Sequence, residues 1–457
     1  MHAFSAKALR SILVVLAVWI LAPQVQATEG LKDINPIIFV HGGSGSGAQF
    51  ESQAMRFVSN GYPSSFIRVL EYDSSAIGRI LPSVLAQLDA LIAQVQAETG
   101  RPQVDLVGHS LGTVVSQAFL AMPARAANVA HYVNVDGRTA NALPGGVPTL
   151  ALFAGAARAV QGRIVGATNI TLPDQEHIEA VTSAGAFVEM FRFFTGEEPR
   201  RSTIRPAIFP FRVSGRAVIF PQNVGVGTDA LVQVWLINSA TGQRLRNSFG
   251  LFATPVAELA VDASGGFGPF RAFPGLQYEL TIVRPNAPDH RFFFEPFLRS
   301  NSLVRLNTSV SGTGIDANIE RNDAHVAIAV TRNKEFRGDR SVVEENDVLS
   351  INGTNVINEV TARSGFVGAP AAQFLFDAGS DRITNVRSIP PPFGMIGFLS
   401  GADLFIPAER RGTVTIRTVP RGDVSATRTL RIPNVPSTQA RVTVVLRDFE
   451  QRRGFTR

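Results

Sequence analysis

One pentapeptide constrains this chain more than any other feature. Gly108-His109-Ser110-Leu111-Gly112 has the pattern G-x-S-x-G. It follows the apolar run Val104 to Val107 and opens a helical segment from Leu111 to Met122. A serine in that strand–turn–helix setting is the nucleophile elbow: the tight turn leaves Oγ exposed, and glycine on either side makes room for neighbouring backbone. An elbow also requires a parallel sheet behind it. Residues 34–196 supply one, alternating candidate strands (Ile37 to Val40, Ser65 to Glu71, Gln103 to Val107, His131 to Val135, Thr149 to Phe153) with helical patterns. Val84, Leu88, Leu91 and Val95 form one apolar stripe, ended by Gly100. Phe187, Met190, Phe191 and Phe194 form another, ended by Gly196.

After Glu197-Glu198-Pro199-Arg200-Arg201 helical spacing nearly vanishes. Short alternating runs (Ala230 to Leu236, Gln277 to Val283, Gly412 to Thr418) are divided by turn clusters at 238–242, 263–268, 285–288 and 390–392. That texture predicts β-sandwiches or a β-barrel. With ~150 residues per domain as a guide, the divisions expected are a leader over 1–27, an α/β catalytic region over 28–199, a β-sandwich over 200–307 and a second β-rich region over 308–457. The leader reading rests on Lys7 and Arg10, the apolar run Ser11 to Leu21, and a small-residue cleavage site at Val25-Gln26-Ala27. It predicts a secreted or periplasmic protein without a stable transmembrane anchor. The chain has no cysteine, so disulfides and thiolate catalysis are excluded.

Charge divides along the same line. Residues 28–199 carry 10 basic and 15 acidic side chains, whereas residues 200–457 carry 31 and 22. The basic second half reads first as an arginine-rich, salt-bridged β surface; an anionic lipid surface is the other reading.

A serine nucleophile needs a base and an acid. In this fold they come later in the chain in the order acid, histidine. Four histidines lie beyond Ser110: His131, His177, His290 and His325. His177 sits in the loop Asp174-Gln175-Glu176-His177 before the last helix, the place from which an imidazole reaches the elbow. Between Ser110 and His177 the only carboxylates are Asp136, Asp174 and Glu176. Asp136 ends a candidate strand and is followed by Gly137, so it points to the carboxyl end of the sheet, where catalytic groups gather. Leu111 N–H and an amide of the loop His41-Gly42-Gly43-Ser44-Gly45-Ser46-Gly47 are the expected oxyanion donors, Gly43 first and Ser44 as the alternative. That loop lacks both a P-loop's Lys-Ser/Thr ending and the dinucleotide spacing, which argues against nucleotide binding. No metal or organic cofactor is implied.

Ile37 to Gly47, Gly108 to Gly112, Asp136 and the His177 segment resemble a bacterial lipase of the α/β-hydrolase superfamily. Gly215 to Pro221, Gln233 to Leu236, Asp262 to Phe270 and Arg299 to Asn307 resemble the β-rich C-terminal half of the two-domain lipases typified by the archaeal Archaeoglobus enzyme. Its first part also resembles small transthyretin-like or carboxypeptidase-regulatory sandwiches. The resemblance implies a triacylglycerol or long-chain ester substrate met at a lipid–water interface, and a β region that supports lipid binding. A polyester depolymerase or short-chain carboxylesterase is the runner-up. A surface-binding module with a vestigial hydrolase is the non-enzyme reading. Only 67 residues separate Ser110 from His177, so any lid is short, within 44–65 or 138–147. Leu143, Val147, Ile178 and Val181 are candidates for an acyl groove.

Overall fold

The computed structural model describes residues 31, 33–156, 162–246, 253–364, 369–409 and 411–447. The leader reading therefore lies outside the described residues.

The N-terminal half is a six-stranded sheet, wholly parallel, in the order β2-β1-β3-β4-β5-β6. Its strands are β1 (Ile37–Val40), β2 (Ile67–Leu70), β3 (Val104–His109), β4 (Val129–Val135), β5 (Thr149–Ala154) and β6 (Thr168–Leu172). Helices α1 (Glu51–Ser59), α2 (Ile77–Thr99), α3 (Leu111–Leu120), α4 (Pro123–Ala126), α5 (Glu179–Thr182) and α6 (Ala184–Thr195) accompany them. Strands buried on both faces explain the unbroken apolar runs. Phe39, Val107 and Val133 meet Phe57, Phe187 and Phe191 on one side. Ile38, Val40 and Leu106 meet Val84, Leu88, Val115 and Phe119 on the other.

The long helix α2 buries Val84, Leu88, Ile92 and Val95. Its stripe passes through Ile92, with the expected Leu91 only half-buried. Gly100 (φ +69) stops it in the left-handed region that suits glycine. Residues 74–99 are long and apolar enough by composition to cross a membrane, yet this stripe packs on the sheet. Strand β6 was not expected from sequence. Thr168-Asn169-Ile170-Thr171-Leu172 is an exposed edge with one buried side chain, so it has no apolar run to betray it.

The second half is β-rich, as its texture predicts. Its strands are β7 (Phe211–Ile219), β8 (Val224–Gly225), β9 (Leu231–Ile237), β10 (Ala257–Ala260), β11 (Gly266–Ala272), β12 (Gln277–Val283), β13 (Asp289–Phe294) and β14 (Asn301–Thr308). They continue with β15 (Ile328–Arg332), β16 (Val348–Ile351), β17 (Thr354–Asn355), β18 (Ala372–Phe376), β19 (Leu399–Asp403), β20 (Thr413–Val419), β21 (Arg428–Pro433) and β22 (Ala440–Leu446). Strands from both sides of residue 308 build one eight-stranded sheet, β10-β9-β12-β13-β22-β15-β18-β19. Strand β22, the last among the described residues, lies at its centre, parallel to both β13 and β15.

The two-residue period divides this sheet between two cores. Phe292 and Phe294 face the small sheet β11-β7-β14, packing with Val213, Val304 and Leu306. Phe293, Ile328 and Val444 face the sheet β17-β16-β20-β21, packing with Leu349, Val414 and Ile416.

Candidate active site

Ser110 has φ +52 and ψ −120, a left-handed conformation that a serine adopts only under constraint. The constraint is visible atom by atom. A Cβ on Gly112 would stand 2.1 Å from Val40 O, and one on Gly108 would stand 2.8 Å from Gly112 O. The Ser110 N–H donates to Val135 O at 3.0 Å, and Ser110 O accepts from Thr113 N–H at 2.9 Å. The Thr113 hydroxyl donates to the same carbonyl at 2.6 Å and accepts from Arg138 N–H at 2.7 Å. Thr113 thereby ties the serine backbone to the loop after β4.

That loop carries Asp136, 1% exposed and at φ +40. Its Oδ1 accepts the Ala154 N–H at 3.0 Å, and its Oδ2 faces His177 Nδ1 at 2.5 Å. The carboxylate therefore holds the proton on Nδ1 and leaves Nε2 bare. Gly137 is required next to it, because a Cβ there would lie 2.1 Å from Thr113 Oγ1.

Asp136 and His177, expected to partner Ser110, thus meet each other, and His177 lines the same cavity as Ser110. The other histidines have separate structural partners. His131 pairs with Asp105 at 2.8 Å near the amino end of β3. His290 lies between the hydroxyls of Thr308 and Thr443, and burial holds its pKa well below the usual value. His325 contacts Glu320 O at 3.1 Å.

Of the candidate amides in the glycine loop, Gly42 N–H donates to Gln49 Oε1 at 3.0 Å and Ser44 N–H donates to Ser74 Oγ at 2.7 Å. The Gly43 N–H has no partner among the described residues, and the space around its Cα is open. His41 and His109 flank this loop as neutral rings. Burial lowers their pKa values to about 4 and about 3; the nearby His177 depresses His109 further. His109 donates through Nε2 to His177 O at 3.0 Å.

The cavity at the serine measures about 350 Å³. Its floor is the hydrolase loop set. Its roof is the face of the eight-stranded sheet, including Phe292, Ala329, Phe374 and Phe376. Of the four groove candidates only Ile178 lines it. Val147 and Val181 lie in the two helix–sheet cores, and Leu143 covers Gly166.

Three family models match. One described as Lipase (class 2) covers residues 34–123, which include the glycine loop and the elbow. Another, described as a lipase C-terminal domain, covers residues 210–311. The chain is a lipase-type α/β hydrolase with a β-rich C-terminal region. The third match, to a model described as a C-terminal domain, covers residues 314–450 of this hydrolase.

Comparison with curated proteins finds no match. Among solved structures, a Bacillus licheniformis lipase in propeptide form is 12% identical with a TM-score of 0.29, aligning over 88% of this chain and 94% of its own. A Listeria innocua gene product is 11% identical with a TM-score of 0.28, over 37% of this chain and 97% of its own. A Legionella pneumophila phospholipase, solved with thio-NAD, is 9% identical with a TM-score of 0.21, over 90% and 93%. Likenesses this distant carry no functional weight. The two lipase models and the sheet topology make the hydrolase an ester-cleaving enzyme with a lipid or ester substrate.

Sequence reasoning missed one first neighbour of the imidazole. Phe398, from the chain between β18 and β19, stacks on His177 with ring centres 5.6 Å apart and planes 17° apart. Its φ of +65 is strained for a phenylalanine. Nothing in its local sequence, Met395-Ile396-Gly397-Phe398, marks it, since it comes from 221 residues further along the chain.

Proposed function

We propose that this hydrolase is an exported lipase that cleaves triacylglycerol or long-chain acyl esters through Ser110, His177 and Asp136. His177 Nε2 takes the Ser110 hydroxyl proton as Oγ attacks the ester carbonyl. Asp136 holds the tautomer and stabilises the imidazolium. The Gly43 and Leu111 amides receive the oxyanion. His177 then protonates the leaving alcohol, and water releases the acyl group by the reverse sequence. The observation that carries this reading is the 2.5 Å contact of Asp136 with His177 Nδ1 beside a serine held in the elbow conformation. The apolar roof of the cavity supports an acyl substrate, and the leader pattern of residues 1–27 supports export.

Two experiments test it. A fluorophosphonate probe should label the wild type and leave Ser110→Ala unlabelled; an unlabelled wild type refutes a competent triad. Hydrolysis of emulsified long-chain triglyceride, compared with short-chain soluble esters, tests the substrate. Preference for acetate or butyrate esters would replace the lipase with a carboxylesterase. Terminal sequencing of the mature protein from culture fluid should begin at Thr28.

A further inference from the structure

The loop that carries His177 makes many of its polar contacts with the second half of the chain. On its amino side, Arg337 donates to Asp174 O at 3.2 Å and pairs with Glu176 at 2.9 Å; Ser364 Oγ donates to the same carboxylate at 3.1 Å. On its carboxyl side, the Glu335 carboxylate accepts the N–H groups of the two residues after the imidazole, Ile178 and, at 3.0 Å, Glu179. Glu179 itself pairs with Lys334 at 3.4 Å and with Arg421. Arg421 in turn bonds Glu335 O at 2.6 Å and Asp347 at 2.7 Å, and Asp347 is also held by Arg332 at 2.9 Å.

We infer that Glu335 is a positioning residue for the hydrolytic reaction. By fixing both amides after His177, it sets where the imidazole stands between Asp136 and Ser110. The inference rests on the proposed role of His177 as base. Two features distinguish Glu335 from an ordinary buried structural group. Its partners are backbone donors adjacent to the reacting side chain, so their displacement moves the ring. And Glu335 is fully buried, with the like-charged Glu179 carboxyl and the His177 imidazole acting on it; Arg421 and Arg332 bond its backbone carbonyl, Lys334 pairs with Glu179, Asp347 pairs with both arginines, and Arg337 pairs with Glu176. Burial, the largest cause, and the Glu179 carboxyl push its pKa up to about 7, against the Ile178 amide, His177 and its own backbone N–H, which favour the anion. Only the ionised carboxylate accepts both amides fully. The clasp therefore tightens as pH rises through about 7.

The test compares wild type, Glu335→Gln, Arg337→Gln and Ser110→Ala on a soluble 4-nitrophenyl ester, with melting curves for each. A glutamine offers one acceptor where two are needed. The expected result for Glu335→Gln is a kcat about ten- to a hundredfold lower, with KM within about twofold. In addition, the acid limb of its kcat/KM profile should lose the steepness that the Glu335 proton lends the wild type. Arg337→Gln, which frees the other flank of the loop, should lower kcat in the same way. Either result in a folded variant supports the inference, and the altered pH limb excludes a purely structural role. A folded Glu335→Gln with kcat within about threefold of wild type overturns it, provided Ser110→Ala is dead. If Glu335→Gln does not fold, an unchanged kcat in Arg337→Gln overturns it. Activity surviving in Ser110→Ala would instead sink the triad reading.

Discussion

Replacing Asp136 by asparagine exchanges one oxygen for an NH2 group, and the local geometry dictates the effect on the base. Two donors converge on the Asp136 carboxylate, the Ala154 N–H at 3.0 Å and His177 Nδ1 at 2.5 Å, in a site that is 1% exposed. A carboxylate accepts from both. An amide has one acceptor and one donor end. With its oxygen toward Ala154, its NH2 faces Nδ1, so the imidazole proton must move to Nε2 and the ring can no longer act as base. With its oxygen toward His177, two N–H groups confront each other across 3.0 Å in the interior, at a cost of about 1–3 kcal/mol. The unproductive tautomer is therefore favoured by roughly 5- to 150-fold. The imidazolium of the transition state also loses a buried anionic partner, which is worth further powers of ten. A fall in kcat of about 10³–10⁴ is expected, at nearly unchanged fold. Steady-state hydrolysis of a 4-nitrophenyl ester measures it, with a melting curve as control. A folded Asp136→Asn variant that loses less than about tenfold would refute the reasoning from donor count.

Gly112→Ala should cost at least about 1–3 kcal/mol of stability, since its Cβ would collide with Val40 O at 2.1 Å and neither strand nor helix can retreat cheaply; chemical denaturation checks this, and an unchanged midpoint refutes it. Ala329→Phe, in the middle of the cavity roof, should shift preference toward shorter acyl chains, read as kcat/KM over a series of esters, with a parallel loss at every length counting against an acyl roof. Buried His41 and His109 have folded pKa values of about 4 and about 3, below the unfolded value near 6.5. Their contribution is thus present above pH ~6.5 and lost as pH falls toward 4, by on the order of a few kcal/mol each. Urea unfolding at pH 7 and pH 4.5 should show that loss, and His109→Gln should flatten it.

The candidate site was legible because its sequence pattern is local. Ser110 announces itself through the glycines that its turn requires, and His177 and Asp136 through their order and their loops after strands. The amide neighbours of Gly43 became assignable only in three dimensions, where Gln49 and Ser74 occupy Gly42 and Ser44. Three of the four groove candidates lie elsewhere, for the opposite reason. Val147 and Val181 are near the site in sequence, but apolar residues next to a site mostly serve the core beneath it. The residues that roof the cavity, from Phe292 to Phe398, are distant in sequence and carry no motif. The β texture was readable run by run, whereas the order of the eight-stranded sheet was not, because parallel pairing of β22 with strands far earlier in the chain leaves no local trace.

The placement of β22 also has a mechanical consequence. Residues 440–446 fill the gap between β13 and β15. Without them, β13 and β15 have no strand between them, and the wall over Ser110 is split into two unjoined halves. The parallel sheet that positions Ser110 and Asp136 pairs only with its own six strands. The order of the strands thus makes enclosure of the serine depend on a segment far from it in sequence.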